Sequence, residues 1–449
     1  MLLIKIILGL FGLGIVVFIH ELGHFLAARL VGIDVEAFSI GWGNPILKKK
    51  IGTVEYRLGM FPIGGYCKMK GYSDFAETRE KTHEDIKAES GSFLAAGPVA
   101  RMFVCFCGPF FNLMFAVLLL SLFWGVGFEI QTPENRIVLA SEVTPGEFYP
   151  ADDAGFKTGD RIVEIAGKKI SHFHEVQENI SIYPEKPLPV KVERDGAVLT
   201  LNVIPSLDKK SGIGIIGVSP WIDPVIDEVI TGSPAELAGL STGDTIVSVN
   251  GQPLRNTTDL MRAIEQKPET LVFEYERNGI QGQAVLSAGD LETGPGFSWA
   301  LVNYHAPKLS FPAAVAKGTK ESFKTLALSV KSLRLLFKGI DLTQAVSGPV
   351  RITYMMGDRA TKSFEYGLGI GLREITNFIA VISIALCMMN LLPLPIIDGG
   401  MILLFFVELV RRKPAHPKFI SIFQTCGMVI IFGLLVFAVF GDIMYFVRR

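Results

Sequence analysis

Four long apolar stretches, two near each end of the chain, constrain its fold more than any other feature. Inside a bilayer no water satisfies backbone N–H and C=O groups, so a crossing segment closes its own hydrogen bonds. A helix of about 20 apolar residues covers the roughly 30 Å of hydrocarbon. Leu2 to Leu30, Val99 to Phe128, Ile375 to Leu394 and Phe419 to Val447 each have that length. The first is interrupted by Lys5, His20, Glu21, His24 and Arg29, and the last is apolar until Asp442. No small-residue cleavage pattern precedes His20, so the first segment reads as a retained anchor rather than a signal peptide. The 449 residues are 49% hydrophobic and 19% charged, and the apolar excess sits at the two ends. The expected class is a multi-pass α-helical membrane protein, about four transmembrane helices, with a polar middle. The 43 basic and 44 acidic residues leave a net charge of −1, which argues against a nucleic-acid partner. Five cysteines at or beside the apolar ends make no disulfide framework.

Basic residues near span ends set orientation. The link Arg411 to Lys418, RRKPAHPK, is basic and acid-free, which assigns it to the cytoplasm. Lys48, Lys49, Lys50, Arg57, Lys68 and Lys70 in the first link agree, although that link also holds many acids. Four spans then put both termini and the polar middle on the far side. Arg448 and Arg449 oppose this, and two terminal residues weigh less than the RRK link.

The middle contains a duplication. AGFKTGDRIVEIAGKKI (Ala154 to Ile170) and AGLSTGDTIVSVNGQPL (Ala238 to Leu254) align without gaps, 84 residues apart. Each predicts a short helix ending at glycine, a tight turn with Asp, a half-buried strand and a hairpin turn. Helical patterns follow at Phe173 to Ile182 and Thr257 to Ile264. The repeat resembles a circularly permuted PDZ domain, more closely in the second copy. PDZ domains take an extended peptide, often a C-terminus, as an added strand. The alternative is a spacer or steric filter, with even weight for the first copy. Beyond the repeats, Lys317 to Phe337 has a 3.6-residue apolar period with basic residues opposite, suiting a helix on the membrane surface or under the second copy. GLGIG (Gly367 to Gly371) reads as a flexible turn into the third span.

His20-Glu21-Leu22-Gly23-His24 fits H-E-x-x-H. On a helix, residues four apart share a face, so both imidazoles can reach one metal ion. Glu21 beside them can take a proton from water. Such a pattern also arises by chance on surface helices, but ionisable residues within a span default to function. No third histidine follows at close range; His83 lies in a charged stretch, and His172, His174 and His305 fall in or beside the repeat. Asp398 in MNLLPLPIIDGG (Met389 to Gly400) is the better third ligand, since Pro393 and Pro395 break the helix and require protein or water partners inside the membrane. A plain turn aspartate is the alternative. Zinc is favoured by these donors, with iron and cobalt also compatible. Cys105 and Cys107, two apart, do not share a helix face and read as lipid-facing or packing thiols.

With HELGH in the first span and NLLPLPIIDGG in the third, the chain resembles the site-2 protease family of intramembrane zinc proteases over essentially its whole length. That resemblance implies Zn2+ bound by His20, His24 and Asp398, Glu21 as catalytic base, and Asn390 binding the substrate backbone or the developing oxyanion. A helix cap or interhelical hydrogen bond is the alternative for Asn390. In the family, FSIGWGNP (Phe38 to Pro45) and VEYRLGMFPIGGYCKMKGY (Val54 to Tyr72) resemble a glycine-containing loop and a membrane-associated β-hairpin. Its edge could hold an unwound substrate, with Gly64, Gly65 and Tyr66 as candidate contacts, unless the hairpin is purely structural. Gly108-Pro109 and Asn112 also fit the family pattern, serving helix packing or lending a polar group to the site. GWG, where a GFG-like run is common, and Cys67 in the hairpin are minor departures.

The implied layout is residues 1–30 as the first span, 31–97 as a hairpin region, 98–128 as the second span, and 129–220 and 221–306 as two PDZ-like mixed β/α domains. An amphipathic helical region at 307–372 follows, then spans at 373–400 and 418–447. The expected partners are the lipid bilayer, single-span membrane protein substrates already shortened on the repeat side, and peptide C-termini. Two rivals are an idle PDZ membrane scaffold and a metal transporter using His20, His24 and Asp398; Glu21 between the histidines and only four spans weigh against both.

Overall fold

The two apolar ends of the chain gather into one structural unit, residues up to Gly127 together with those from Pro307 on, and the polar middle, Phe128–Ala306, forms another. The computed structural model describes residues 2–71, 89–144, 146–209, 212–265, 269–287, 289–290, 294–335, 348–365 and 368–447. Tyr72, His83, Phe337, Gly367, Arg448 and Arg449, considered above, lie outside them.

The apolar unit holds seven helices among its described residues: α1 (Leu2–Leu30), α2 (Pro98–Val126), α3 (Phe311–Leu335), α4 (Pro349–Glu365), α5 (Leu368–Asn390), α6 (Asp398–Arg411) and α7 (Pro417–Val447). Four are long and apolar enough to cross a membrane: Lys5–Leu30, Pro98–Val126, Gly371–Asn390 and Lys418–Val447. Without a hydrophobic drive between helices in lipid, close backbone approach at small residues holds such a bundle together. A Cβ on Gly23 of α1 would collide with the Cys107 carbonyl of α2, and one on Gly357 of α4 with the Lys5 carbonyl of α1. Asp442 is a helix cap rather than a site residue. Buried in α7, it accepts backbone N–H bonds from Gly348, Val350 and Arg351 at 2.8, 3.1 and 3.1 Å, satisfying the exposed N-terminus of α4.

Two boundaries differ from the sequence reading. The third span stops at Asn390, and Asp398 opens the separate helix α6 instead of ending that span. Pro393 and Pro395 cannot continue the helical ladder, so seven residues turn the chain before it restarts. The expected turn before that span is also shorter, because Leu368–Gly371 are already helical. The amphipathic segment forms α3 but starts earlier, at Phe311. Cys105 and Cys107 are both buried, so they pack inside rather than face lipid.

Between α1 and α2, strands β1 (Val35–Ile51) and β2 (Val54–Met69) pair twice. Ala37 faces both Lys68 and Glu55, and Ile40 faces both Gly65 and Leu58. Each strand therefore bends back on itself. The result is a four-stranded antiparallel order: 65–69, 35–40, 54–58, 47–51. Gly41 and Gly43, at φ +84° and +89°, supply the reversal that a side chain would resist.

In the middle unit, each copy of the duplication builds a four-stranded antiparallel sheet. The first orders Lys168–Lys169, Arg161–Ile165, Leu188–Arg194, Ala197–Val203; the second orders Gln252–Pro253, Thr245–Val249, Thr270–Arg277, Ile280–Ser287. A helix covers each, Phe173–Ser181 and Thr257–Glu265. Each copy has its own core, around Ile162 and Val190 in one and Ile246 and Phe273 in the other. The T-G-D aspartate does the same work in both. Asp160, buried, accepts two bonds from Arg194 at 2.7 Å and the Lys157 N–H. Asp244, likewise buried, accepts from Arg277 at 2.6 and 2.8 Å and from the Ser241 N–H.

Candidate metal centre

Helix α1 puts His20 and His24 one turn apart, both buried, with their Nε2 atoms 3.2 Å apart and their rings nearly perpendicular. Asp398, the first residue of α6, completes the group. Its Oδ2 lies 3.3 Å from His20 Nε2 and its Oδ1 3.4 Å from His24 Nε2. One donor atom from each of the three residues falls within 4.8 Å of the others.

The donors fit a metal. Zinc–nitrogen and zinc–oxygen bonds of about 2.0–2.1 Å in a tetrahedron put neighbouring ligand atoms about 3.3–3.4 Å apart; the two Nε2 atoms are 3.2 Å apart, and Asp398 turns one carboxylate oxygen to each imidazole, at 3.3 and 3.4 Å. The tautomer of His24 fits as well. Its Nδ1 lies 2.9 Å from the Val104 carbonyl of α2, which can only accept, so Nδ1 carries the proton and Nε2 presents a lone pair. Two imidazoles and one carboxylate are a donor set suited to zinc.

Local sequence explains how three distant segments meet. Gly108 of α2 faces both rings; a Cβ there would collide with His24 Nε2 and come within 2.9 Å of His20 Cε1. On the α6 side, Cβ atoms on Gly399 and Gly400 would collide with the carbonyls of Leu391, Leu392 and Leu394. The two glycines after Asp398 let the 391–397 turn fold against the start of α6. Ile396 in that turn has φ +77°, an uncommon and costly conformation for a β-branched residue.

Glu21 follows His20 on α1. The Cys67 backbone amide faces its carboxylate, and Gly65 packs so closely that a Cβ would lie 3.2 Å from Glu21 Cγ. Asn390, the last residue of α5, places its amide nitrogen 3.4 Å from His20 Nε2 and 3.5 Å from Nδ1. The structure thus brings His20, Glu21, His24, Asp398, Asn390 and Gly65 together. Gly64 and Tyr66 engage other groups: a Cβ on Gly64 would collide with Trp42, while Tyr66 meets the Trp42 ring and accepts a 3.0 Å bond from Arg57.

Asn112, on α2, is fully buried beside the site, its amide nitrogen 3.4 Å from His20 Nδ1. Its backbone carbonyl accepts a 2.9 Å bond from Ser383 of α5. Val104 and Gly23 escaped the sequence reading. Val104 acts through its carbonyl, which its side chain does not announce, and Gly23 stands at an unspecified position of the HExxH pattern.

Comparison with known proteins agrees along the whole chain. Residues 8–434 match the family described as Peptidase family M50. A protein of Treponema pallidum named as a zinc metalloprotease is 34% identical over 445 residues, covering 98% of this chain and 99% of that one. The "Regulator of sigma E protease" of Haemophilus influenzae is 30% identical, covering 96% of each chain. The "Regulator of sigma-E protease RseP" of Escherichia coli is 27% identical, also covering 96% of each.

Proposed function

The chain belongs to peptidase family M50, the site-2 proteases, and is a zinc metalloprotease; on that premise we propose that it hydrolyses a peptide bond within or beside the transmembrane segment of a single-span membrane protein. The observation that carries this is the three-donor cluster of His20, His24 and Asp398, with Glu21 next to it on a membrane-length helix.

In this reading His20, His24 and Asp398 hold Zn2+. Bound zinc supplies Lewis acidity and lowers the pKa of water. Glu21 accepts the proton of the attacking water and returns it to the leaving amine. The Asn390 amide donates to the scissile carbonyl oxygen as charge develops there. A hydrogen-bonded substrate helix hides its carbonyls, so the substrate is held extended. The strand 65–69 pairs on one side only among the described residues, and its free edge supports strand addition beside Glu21. Gly65, lacking a Cβ, leaves room there. Gly64 and Tyr66 shape the hairpin rather than touch the reacting bond.

The two repeat copies act as PDZ domains on the periplasmic side of a bacterial inner membrane, with the metal centre towards the cytoplasm. Their shared order of elements and the two equivalent Asp–Arg pairs support a common domain type. They read the new C-termini of shortened substrates or exclude bulky outer domains. Two relatives are named for sigma-E regulation; in this reading the substrates are anti-sigma factor-like proteins and remnant signal peptides, cleaved in regulated proteolysis during an envelope stress response.

The test compares wild type with Glu21→Gln, purified in detergent, for bound zinc and for cleavage of a single-span substrate with a short ectodomain. Equal zinc with cleavage only in wild type, a loss of at least about 10²-fold, is expected. Equal cleavage by both would remove Glu21 as base, and zinc absent from both would remove the metal centre.

A further inference from the structure

On the face of α1 turned away from the metal donors, a cleft of about 720 Å³ opens between the helix and the β1–β2 sheet. Phe18, Leu22 and Phe25 line it from α1, and Phe38, Tyr56 and Leu58 from the sheet. Aromatic packing forms its floor, with Phe25 5.4 Å from Phe38 and 6.2 Å from Tyr56 between ring centroids. Lys49, cross-strand from Tyr56, stands at its margin on the Tyr56 and Leu58 face, whereas Lys48, cross-strand from Arg57, lies on the opposite face of the sheet. Lys49 forms no ion pair among the described residues, whereas Arg57 pairs with Glu55 at 3.0 Å.

We propose that this cleft binds an anionic phospholipid, with acyl chain against the aromatic floor and phosphate at Lys49. Three observations select that occupant. The walls are apolar and the margin cationic, the polarity of a lipid with an anionic head. The cleft is formed by the face of the sheet and not its edge, so it offers a peptide no row of backbone partners. Beside the cations, Ile46, Leu47 and Ile51 are 63%, 66% and 57% exposed. A run of three lysines flanked by exposed apolar side chains on an outer strand suits the headgroup boundary of a bilayer. The volume also lies in the range of specific small-ligand sites, about 300–1,000 Å³. The site is independent of the proteolytic reading, because none of the metal donors lines it.

The test uses the full chain reconstituted in bilayers of phosphatidylcholine mixed equally with phosphatidylglycerol, then extracted in mild detergent, with retained lipid counted by native mass spectrometry. Wild type should retain phosphatidylglycerol selectively. Each basic residue near anionic lipid is worth about fivefold, so Lys49→Gln should cut that selectivity about fivefold, Lys49→Arg should keep it, and Lys48→Gln, on the opposite face of the sheet, should leave it unchanged. Leu58→Trp, which fills the cleft, should lose both lipids. Zinc content, read on every variant, verifies an intact fold without involving cleavage. Equal retention of the two lipids by wild type, or undiminished selectivity in Lys49→Gln, would overturn the proposal. Binding of inorganic phosphate by wild type that retains no phosphatidylglycerol would also overturn it, leaving only an anion site.

Discussion

Asn112 and His20 meet across the α1–α2 contact, the Asn112 amide 3.4 Å from the ring nitrogen of His20 that points away from Asp398. Asn112 Oδ1 is buried without a hydrogen-bond partner among the described residues. The oxygen and nitrogen of an asparagine amide are exchangeable by a flip. Flipped, Oδ1 accepts the His20 Nδ1 proton and leaves Nε2 free for the metal, as the Val104 carbonyl does for His24. Asn112 is thus a positioning residue. Asn112→Leu should weaken zinc affinity about 10–100-fold, measured by chelator competition, whereas Asn112→Asp, which still accepts, should keep it.

Gly108→Ala should strip the site of metal. Its Cβ would meet His24 Nε2, and the ring cannot retreat while Nδ1 stays bonded to Val104. Zinc content should fall well below that of wild type, with cleavage following. Gly125→Ala, on the same helix with its nearest neighbour 3.8 Å away at Ala314, should leave both unchanged.

The buried pair Arg101–Glu408, 3.0 Å apart, ties α2 to α6 and so to Asp398. Glu408 also accepts the Ala415 N–H at 2.9 Å, and Arg101 lies over the Phe405 ring. Removing one partner of a buried pair costs about 3–5 kcal/mol, while replacing both by apolar residues restores much of it. Arg101→Met should therefore lower the unfolding midpoint in detergent more than Arg101→Met combined with Glu408→Met.

Asp244→Asn should loosen the second repeat while leaving zinc bound. Charge-assisted hydrogen bonds contribute about 1.5–3 kcal/mol each, and Asp244 is fully buried. Limited proteolysis should cut Asp244→Asn within residues 226–287 at protease levels that spare wild type. Asp160→Asn should move the first cut into residues 137–203.

Much of this protein was legible from local pattern. Membrane spans are encoded by length and apolarity alone, because a bilayer penalises every unsatisfied backbone group. HELGH places two imidazoles on one face at 3.6 residues per turn, and the T-G-D repeats set the same turn and strand twice. Tertiary structure decided what depends on distance between chain segments. Asp398 joins residues more than 370 positions earlier, because glycines after it admit the 391–397 turn. Its competence as a ligand depends on where α6 starts. The two strands fold into four by bending, and only their double register reveals that, among the described residues, strand 65–69 pairs on one side. The Val104 carbonyl and the gap left by Gly108 carry no chemical signature in a one-dimensional string. They matter because a metal site is fixed by tenths of an ångström between groups that only packing brings together.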